Sequence, residues 1–225
     1  SGLPTWAAQV LVRTDARGNL TADVSFGHRG DGLAGATLQA GLERDGETVV
    51  AWAGRSVPAP GDGLRLTARV GSPLLFSPTQ PDNVYQLRLT LGAPGSESET
   101  TVYDVAFRRF EAREGRFWLN DEDFYLRGIN RHEDHPDLGP VYDAEVVDRD
   151  LTLIAELGAN FSRPGHYPND VRVLRGFEER GVLLAEEIPV YQWDHAQMGN
   201  TAMIDRAVRE LQAMIIRDYN RPAIV

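Results

Sequence analysis

Hydrophobic and polar residues alternate at every second position through much of the first 110 residues. The alternation is clearest in Leu20–Phe26, Leu64–Val70 and Tyr85–Leu91. Shorter candidate strands lie near residues 7–13, 36–42, 47–53 and 101–109. Side chains two residues apart share one face of a strand, so each run has one face suited to burial. About seven short strands separated by Gly-, Asp- and Pro-rich clusters predict an immunoglobulin-like β-sandwich over residues 1–110.

From residue 111 onward the pattern changes to the helical period. Three helices are predicted, and their capping residues are Asp143, either Asn169 or Asp170, and Asn200. Gly158 and Gly181 are expected to end the first two helices. Apolar residues share one face of each helix. They are Val147, Leu151 and Ile154 in the first helix, Leu174 and Phe177, which are expected to be buried, in the second, and Ile204, Val208, Leu211 and Ile215 in the third.

Short apolar runs lie before and between these helices, at residues 124–129, 160–163 and 182–188, and a fourth begins at Pro222. Strands that alternate with helices predict a parallel sheet with right-handed crossovers. Ligand sites of such sheets form where strands end and helices begin. The segments that follow the runs, at 130–136, 163–168 and 186–193, are rich in His, Glu and aromatic residues. We therefore expect a ligand site at this rim.

Composition narrows the chemistry that this site can perform. The chain has no Cys and no Lys, which excludes disulfides, thiolate catalysis, Cys-ligated zinc and Schiff bases. Residues 1–110 are nearly neutral, with 11 acidic and 10 basic side chains. Residues 111–225 carry 22 acidic and 13 basic side chains and are therefore strongly acidic. The net charge of −10 argues against nucleic acid and anionic membranes as partners. No signal peptide or transmembrane segment is visible, so we expect a soluble protein, with the cytoplasm favoured and the compartment left open.

Four ordered segments resemble glycoside hydrolase family 2, which contains β-galactosidases, β-glucuronidases and β-mannosidases. They are Leu126–Pro136, Glu156–Arg163 with His166-Tyr167-Pro168, Glu186–Pro189, and Arg217–Pro222. In the first half, Pro73–Pro78 followed by Tyr85-Gln86-Leu87 resembles the family's immunoglobulin-like domain. The resemblance implies a multidomain chain, β and then α/β. An immunoglobulin-like β-sandwich is followed, over residues 111–225, by an incomplete (β/α)8 TIM barrel of about three β/α units.

The resemblance implies a carbohydrate-metabolising hydrolase that cleaves O-glycosidic bonds of β-glycosides with retention. The family's acid/base is a Glu that follows an Asn at the end of the fourth barrel strand, and its nucleophilic Glu lies near the seventh. We therefore expect the acid/base just after Val225, no catalytic residue within this chain, and no activity of the chain alone. It is interpreted as a fragment whose exposed edges are covered by the rest of the barrel or by self-association.

Two other functions are compatible with the residues. The chain could be a non-catalytic carbohydrate-binding or scaffold module, or an unrelated parallel α/β enzyme that shares these motifs by accident. Glycan binding without hydrolysis by the full-length protein would indicate the binding module. The segment Glu186–Tyr191 favours glucuronidase-like members over the magnesium-dependent galactosidases.

The resemblance and the rim together give eight candidate substrate-binding residues: Asn130, His132, Glu133, Arg163, His166, Tyr167, Glu187 and Trp193. His132 and His166 can donate hydrogen bonds to sugar hydroxyls or can serve a structural role. Arg163 can act on a nearby carboxylate or form a buried ion pair with Glu186 or Glu187. Trp193, with Tyr167 and Tyr191, can stack on a sugar ring or pack in a core.

Glu186 and Glu187 resemble a catalytic pair, but neighbouring strand residues point to opposite faces and cannot flank one bond. His132, His135 and His166 could suggest a metal site. In the β-galactosidase branch, however, magnesium is held by a Glu and a His at positions that match Tyr191 and Trp193 here. Neither replaces those ligands, so we predict no metal and no cofactor. His195 is expected at the surface.

Overall fold

The structure, a computed structural model, describes residues 5–28, 35–59 and 61–225. These residues form two compact units. The first unit contains the described residues up to Phe76, with Asn83–Arg109 and Asn220–Pro222, and the second contains Ser77–Asp82, Phe110–Tyr219 and Ala223–Val225. In the described part of the chain, no helix combines the length and the apolar character that crossing a membrane requires.

The first unit consists of two antiparallel sheets. One sheet has the order β1-β2-β5 and the other β4-β3-β6-β7. The strands are β1 (Thr5–Thr14), β2 (Asn19–His28), β3 (Thr37–Arg44), β4 (Glu47–Ser56), β5 (Leu64–Arg69), β6 (Tyr85–Gly92) and β7 (Glu99–Val105). All seven strands predicted from the alternation are present, although β7 ends at Val105 rather than at residue 109.

The alternating apolar residues of both sheets share one core. Leu20, Ala22 and Val24 of β2 are buried, as are Tyr85, Leu87, Leu89 and Leu91 of β6. In the pairing of β3 with β6, Leu42 lies opposite Leu87 and Leu38 opposite Leu91. Apolar residues therefore alternate along these strands because every second side chain points into the core between the two sheets.

The second unit begins with a small antiparallel sheet that the sequence patterns do not predict. Its strands are β8 (Phe110–Arg113), β9 (Arg116–Leu119) and β10 (Glu122–Phe124). Two-residue turns, Glu114-Gly115 and Asn120-Asp121, join them, and all four turn residues have positive φ. Two-residue turns with positive φ match the twist of paired strands. The pairs Glu114-Gly115 and Asn120-Asp121 are therefore the sequence signals that could have predicted these hairpins.

A parallel sheet follows, with the order β11-β12-β13. Its strands are β11 (Gly128–Arg131), β12 (Phe161–Pro164) and β13 (Leu183–Leu184). The predicted runs 124–129 and 182–188 were too long: Phe124 ends β10, and only two residues of the latter run pair as strand. The fourth run continues the sheet, because Leu184 N–H donates to the Ala223 carbonyl and Val225 N–H donates to the Leu184 carbonyl.

Three of the four helices in the described part of the chain begin at predicted capping residues, and two of them end at the predicted glycines. They are α1 (Ala144–Glu156), α2 (Val171–Glu179), the short α3 (His195–Met198) and α4 (Thr201–Asp218). Asp143, Asp170 and Asn200 accept hydrogen bonds from backbone N–H groups of the first turns of α1, α2 and α4. Gly158 and Gly181, both at φ +68°, follow α1 and α2. Helix α3, capped by Asp194, was not predicted.

The apolar stripe of α4, which the helical spacing predicted to share one face, is exposed. Ile204, Val208, Leu211 and Ile215 are 40–47 % exposed. The half-buried positions lie one residue earlier, at Met203, Ala207, Glu210 and Met214, and Asp218 is the buried residue of the helix. Helical spacing identifies residues that share a face, but it does not reveal whether another element covers that face.

This α4 stripe should make the isolated 225-residue chain self-associate, because contiguous exposed apolar surface is removed from water by association. The double substitution Val208→Gln/Leu211→Gln should shift the chain toward monomer in sedimentation velocity while circular dichroism stays unchanged. Arg209→Gln, on the same helix, is the matched control and should leave association unaltered. A wild-type chain that remains monomeric at high concentration would contradict the prediction.

Candidate functional site

The polar residues of the site lie at, or just after, the carboxyl ends of parallel strands. Strand β11 carries Asn130, which pairs in register with Arg163 of β12. The segment after β13 carries Glu187. Parallel register places these three chain segments at one edge of the sheet, which is where α/β proteins build their sites.

Glu187 is the centre of a hydrogen-bonded cluster. Its Oε1 lies 2.6 Å from Nδ1 of His166, and its Oε2 lies 3.4 Å from Nη1 of Arg163. Nε of Arg163 donates to Oδ1 of Asn130 at 3.3 Å. The side chains of His166 and Glu187 are about one-quarter exposed, so the cluster is open to solvent and thus to a ligand. Asn130, Arg163, His166 and Glu187 therefore form one connected group, called here the Glu187 cluster.

The cluster determines which ring nitrogen of His166 carries hydrogen. An ionised carboxylate only accepts hydrogen bonds, so the network assigns the proton to Nδ1. In the neutral ring, Nε2 is then an acceptor. With Glu187 ionised, a neutral His166 accepts from a sugar hydroxyl through Nε2, whereas a doubly protonated ring donates to it.

Aromatic rings surround His166. The His132 ring meets it edge to face at 4.9 Å between centroids, and the Tyr191 ring stacks on it at 4.2 Å. Tyr191 is half exposed, so its ring covers one side of His166 while remaining in contact with solvent. These contacts fix the plane of the imidazole.

Gly165 allows the close approach of Glu187. A Cβ at this position would lie 2.6 Å from Oε1 of Glu187 and 3.9 Å from Cε1 of His132. Any other residue would therefore displace the carboxylate from His166. Sequence reasoning did not identify this glycine, although it lies between two predicted site residues.

Glu133 and Tyr167 lie together beside the start of α2. Oε1 of Glu133 accepts from the Asp170 N–H at 3.2 Å. Burial, with the charges of Glu133 and Asp134, raises the pKa of the Tyr167 phenol. Arg172 donates to Asp170 and holds the pKa of that carboxyl at about 2. Among the described residues, Glu133 and Tyr167 thus interact with each other and with the start of α2, and not with the Glu187 cluster.

Trp193 lines a different cavity. This cavity, of about 260 Å³, is bounded by Pro189, Trp193, Met203, Ala207 and the Arg206–Glu210 ion pair. The tryptophan is half buried against α4, and the ring that contacts His166 is that of Tyr191. Residue spacing could not distinguish these two aromatic positions, because both lie on the loop after β13. His195 is exposed, as expected, at the start of α3.

Glu186 points away from Glu187, as alternation along an extended chain requires. The side chain of Glu186 is 2 % exposed, and its Oε1 accepts from Nη2 of Arg217 at 3.2 Å. Burial and the neighbouring carboxyl of Asp218 raise the pKa of Glu186 to about 8. Arg163 therefore pairs with Glu187, and Arg217 pairs with Glu186. Asp218 was not among the predicted site residues, although it belongs to the Arg217–Pro222 segment that resembles the family.

The described residues contain no group of three or more His, Asp and Glu side chains arranged to hold a metal ion. In this part of the chain, the His132 and His166 rings contact each other, and His166 bonds to a carboxylate through Nδ1.

Carboxylate, imidazole and aromatic groups at the carboxyl ends of parallel strands are typical of enzymes built on β/α units. Residues 110–225 match the family described as glycosyl hydrolases family 2, TIM barrel domain. The chain belongs to this family of glycosidases. A putative β-glucuronidase of Formosa agariphila is 33 % identical over 157 residues, which are 69 % of this chain and 19 % of that protein. A β-galactosidase of Thermoanaerobacter pseudethanolicus is 34 % identical over 158 residues, which are 69 % of this chain and 21 % of that protein.

Solved structures match almost the whole chain. The apo structure of Bacteroides uniformis β-glucuronidase 3 superposes with a TM-score of 0.85 at 28 % identity, covering 99 % of this chain and 27 % of that one. The Parabacteroides merdae β-glucuronidase with glycerol in its active site superposes with a TM-score of 0.87 at 26 % identity. This match covers 99 % of this chain and 28 % of that one. The chain thus spans about a fifth to somewhat more than a quarter of the length of these relatives.

Proposed function

We propose that the full-length protein is a retaining β-glycosidase of the β-glucuronidase and β-galactosidase type. In this proposal, residues 111–225 form the first three β/α units of its TIM barrel, and residues 1–110 form an immunoglobulin-like domain before it. The parallel order of β11, β12 and β13, with α1 and α2 between them, supports the barrel. The two antiparallel sheets around one core support the sandwich.

The Glu187 cluster is the observation that carries the proposal. It holds an imidazole and a guanidinium at the carboxyl ends of the strands, where a TIM barrel binds its substrate. With Nδ1 committed to Glu187, Nε2 of His166 is available to a sugar hydroxyl. Tyr191, half exposed beside that ring, offers an aromatic surface to the sugar. The cluster binds and orients the sugar, and this pre-organisation lowers the barrier to forming an oxocarbenium-like transition state.

The two catalytic carboxyl groups of a retaining glycosidase lie about 5–5.5 Å apart on either side of the scissile bond. Glu186 and Glu187 do not fit this requirement, because they point in opposite directions and bond to different arginines. The family resemblance assigns the acid/base and the nucleophile to later barrel strands. The chain alone is therefore proposed to be inactive.

The proposed substrate is a β-linked uronic acid glycoside. The segment Glu186–Tyr191 resembles glucuronidase-like members, and the positions of the galactosidase magnesium ligands are Tyr191 and Trp193 here. Among the structural neighbours, one β-glucuronidase of Bacteroides uniformis is covalently bound to cyclophellitol-6-carboxylate aziridine. That ligand belongs to the relative, and it supports a uronic acid for this protein through family membership.

The test is hydrolysis of aryl β-glucuronide, β-galactoside and β-mannoside by the full-length protein, with proton NMR of the first-formed sugar anomer. We expect the glucuronide to be cleaved fastest and the β-anomer to be released first. The 225-residue chain, assayed in parallel, should not hydrolyse any of them. Inversion of the anomer would contradict the mechanism. Melting shifts with glycans but no hydrolysis by the full-length protein would instead indicate a carbohydrate-binding module.

A further inference from the structure

Two buried carboxyl groups lie behind the Glu187 cluster. Glu186 follows β13, Asp218 ends α4, and both side chains are 2 % exposed. Although they are far apart in the chain, both carboxyl groups contact the same guanidinium nitrogen of Arg217 and therefore lie close together. Two ionised carboxylates at this separation in a buried site repel each other and lack the hydration that would stabilise both charges.

One guanidinium serves both groups. Nη2 of Arg217 lies 3.2 Å from Oε1 of Glu186 and 2.6 Å from Oδ2 of Asp218. Among the described residues, none provides a hydrogen-bond donor to the buried Oε2 of Glu186. Two other groups lie near the pair. The backbone amide of Asn169 faces Glu186, and the charge of Arg217 contributes to the lowered pKa of the Asp170 carboxyl. One arginine and two carboxylates leave one negative charge in excess, which a single proton removes.

We propose that Glu186 and Asp218 share one proton and that this pair, neutral overall together with Arg217, positions Glu187. A hydrogen on Oε2 of Glu186 donates to Asp218, which satisfies the buried oxygen and leaves Asp218 as the anion for Arg217. Because Glu186 and Glu187 are adjacent, anchoring one side chain to α4 fixes the backbone that carries the other toward His166. Glu186 is thus a positioning residue, and the inference rests on the proposed role of the Glu187 cluster in sugar binding.

A proton shared between Glu186 and Asp218 makes the stability of the folded protein depend on pH. Burial and Asp218 raise the pKa of Glu186 from 4.5 to about 8 in the folded state, so the folded protein binds more protons than the unfolded chain between these values. The contribution of Glu186 to the free energy of unfolding is fully present below about pH 4.5 and is lost as the pH rises through about 8. Glu186→Gln is neutral at every pH and can still donate to Asp218, so it should remove this loss.

The decisive experiment compares Glu186→Gln with Glu186→Ala in the full-length protein. Glutamine imitates the protonated group, so its kcat/KM at neutral pH should equal the wild-type value, and its melting temperature should fall less between pH 6 and 9. Alanine removes the anchor, so its kcat/KM should fall roughly 10- to 100-fold, because misplacement of a site group carries a cost of this size. Glu179→Gln, an exposed ion-pair carboxylate on α2, is the matched control and should match the wild type in both measurements.

Infrared spectroscopy provides a readout that does not need activity. The wild-type protein should show the C=O band of a protonated carboxyl group at pH 7. This band should disappear when the pH is raised until Glu186 loses its proton, and it should be absent from Glu186→Gln. Equal loss of activity in both variants, or identical infrared spectra, would overturn the inference. If the wild-type protein hydrolyses no glycoside, the proposed function fails, while the infrared band and the melting profile still decide whether the pair shares a proton.

Discussion

Replacing Glu187 by glutamine in the full-length protein should lower kcat/KM on an aryl β-glucuronide by roughly 10²- to 10³-fold, the usual cost of removing one preorganised polar group from a site. The carboxylate accepts from two donors at once, with Oε1 at 2.6 Å from His166 and Oε2 at 3.4 Å from Arg163. An amide has one acceptor oxygen, so its NH₂ group must face one of these donors. Either His166 or Arg163 then loses its anchor.

The control for this substitution is Glu179→Gln, which removes an exposed carboxylate paired with Arg175 and should leave kinetics unchanged. Melting temperatures of both variants should stay near the wild-type value, because Glu187 is partly exposed and its ion pair is screened by water. If Glu187→Gln retained wild-type kcat/KM, the cluster would not be part of the site. Loss of activity together with unfolding would indicate a purely structural role.

Removing the imidazole of His166 should also reduce turnover strongly. We expect His166→Ala to lower kcat/KM by about 10²-fold, because the contact to a sugar hydroxyl is lost and Glu187 loses a partner. His166→Phe separates the two roles of the ring. Phenylalanine can keep the stacking on Tyr191 and the edge contact with His132, but it has no nitrogen.

Both His166 variants should therefore be impaired to a similar degree. Activity retained by His166→Phe but not by His166→Ala would show that the ring acts by packing alone. Near-full activity of His166→Ala would remove His166 from the site. His195→Ala is the matched control, because His195 is exposed at the start of α3 and should be dispensable.

The prediction of the elements succeeded where local chemistry decides the structure. Asp143 and Asn200 cap helices because their side chains satisfy backbone N–H groups within three residues along the chain. The alternating residues of β2 and β6 are buried because neighbouring side chains of a strand point to opposite faces. The β8–β10 sheet was missed although its turns were readable, since its strands are three or four residues long.

The candidate site was predicted less completely. The sequence indicated the rim and named the four members of the Glu187 cluster, and the structure connects these four by hydrogen bonds. It placed Trp193 in the same group, but that side chain lines a cavity along α4. It also left open which glutamate Arg163 would pair with. Such choices depend on side-chain directions at the ends of segments that are far apart in the chain.

The sequence by itself determined the order of the elements, most of their boundaries, the family and the opposite directions of Glu186 and Glu187. These follow from covalent neighbours and from motifs, which tertiary contacts hardly alter. Only the tertiary structure decided that Arg217 and Asp218 meet Glu186, and that the α4 stripe is exposed. The physical reason is that burial and charge pairing depend on which elements come together in space, and residue spacing along one helix or strand carries no information about its partner.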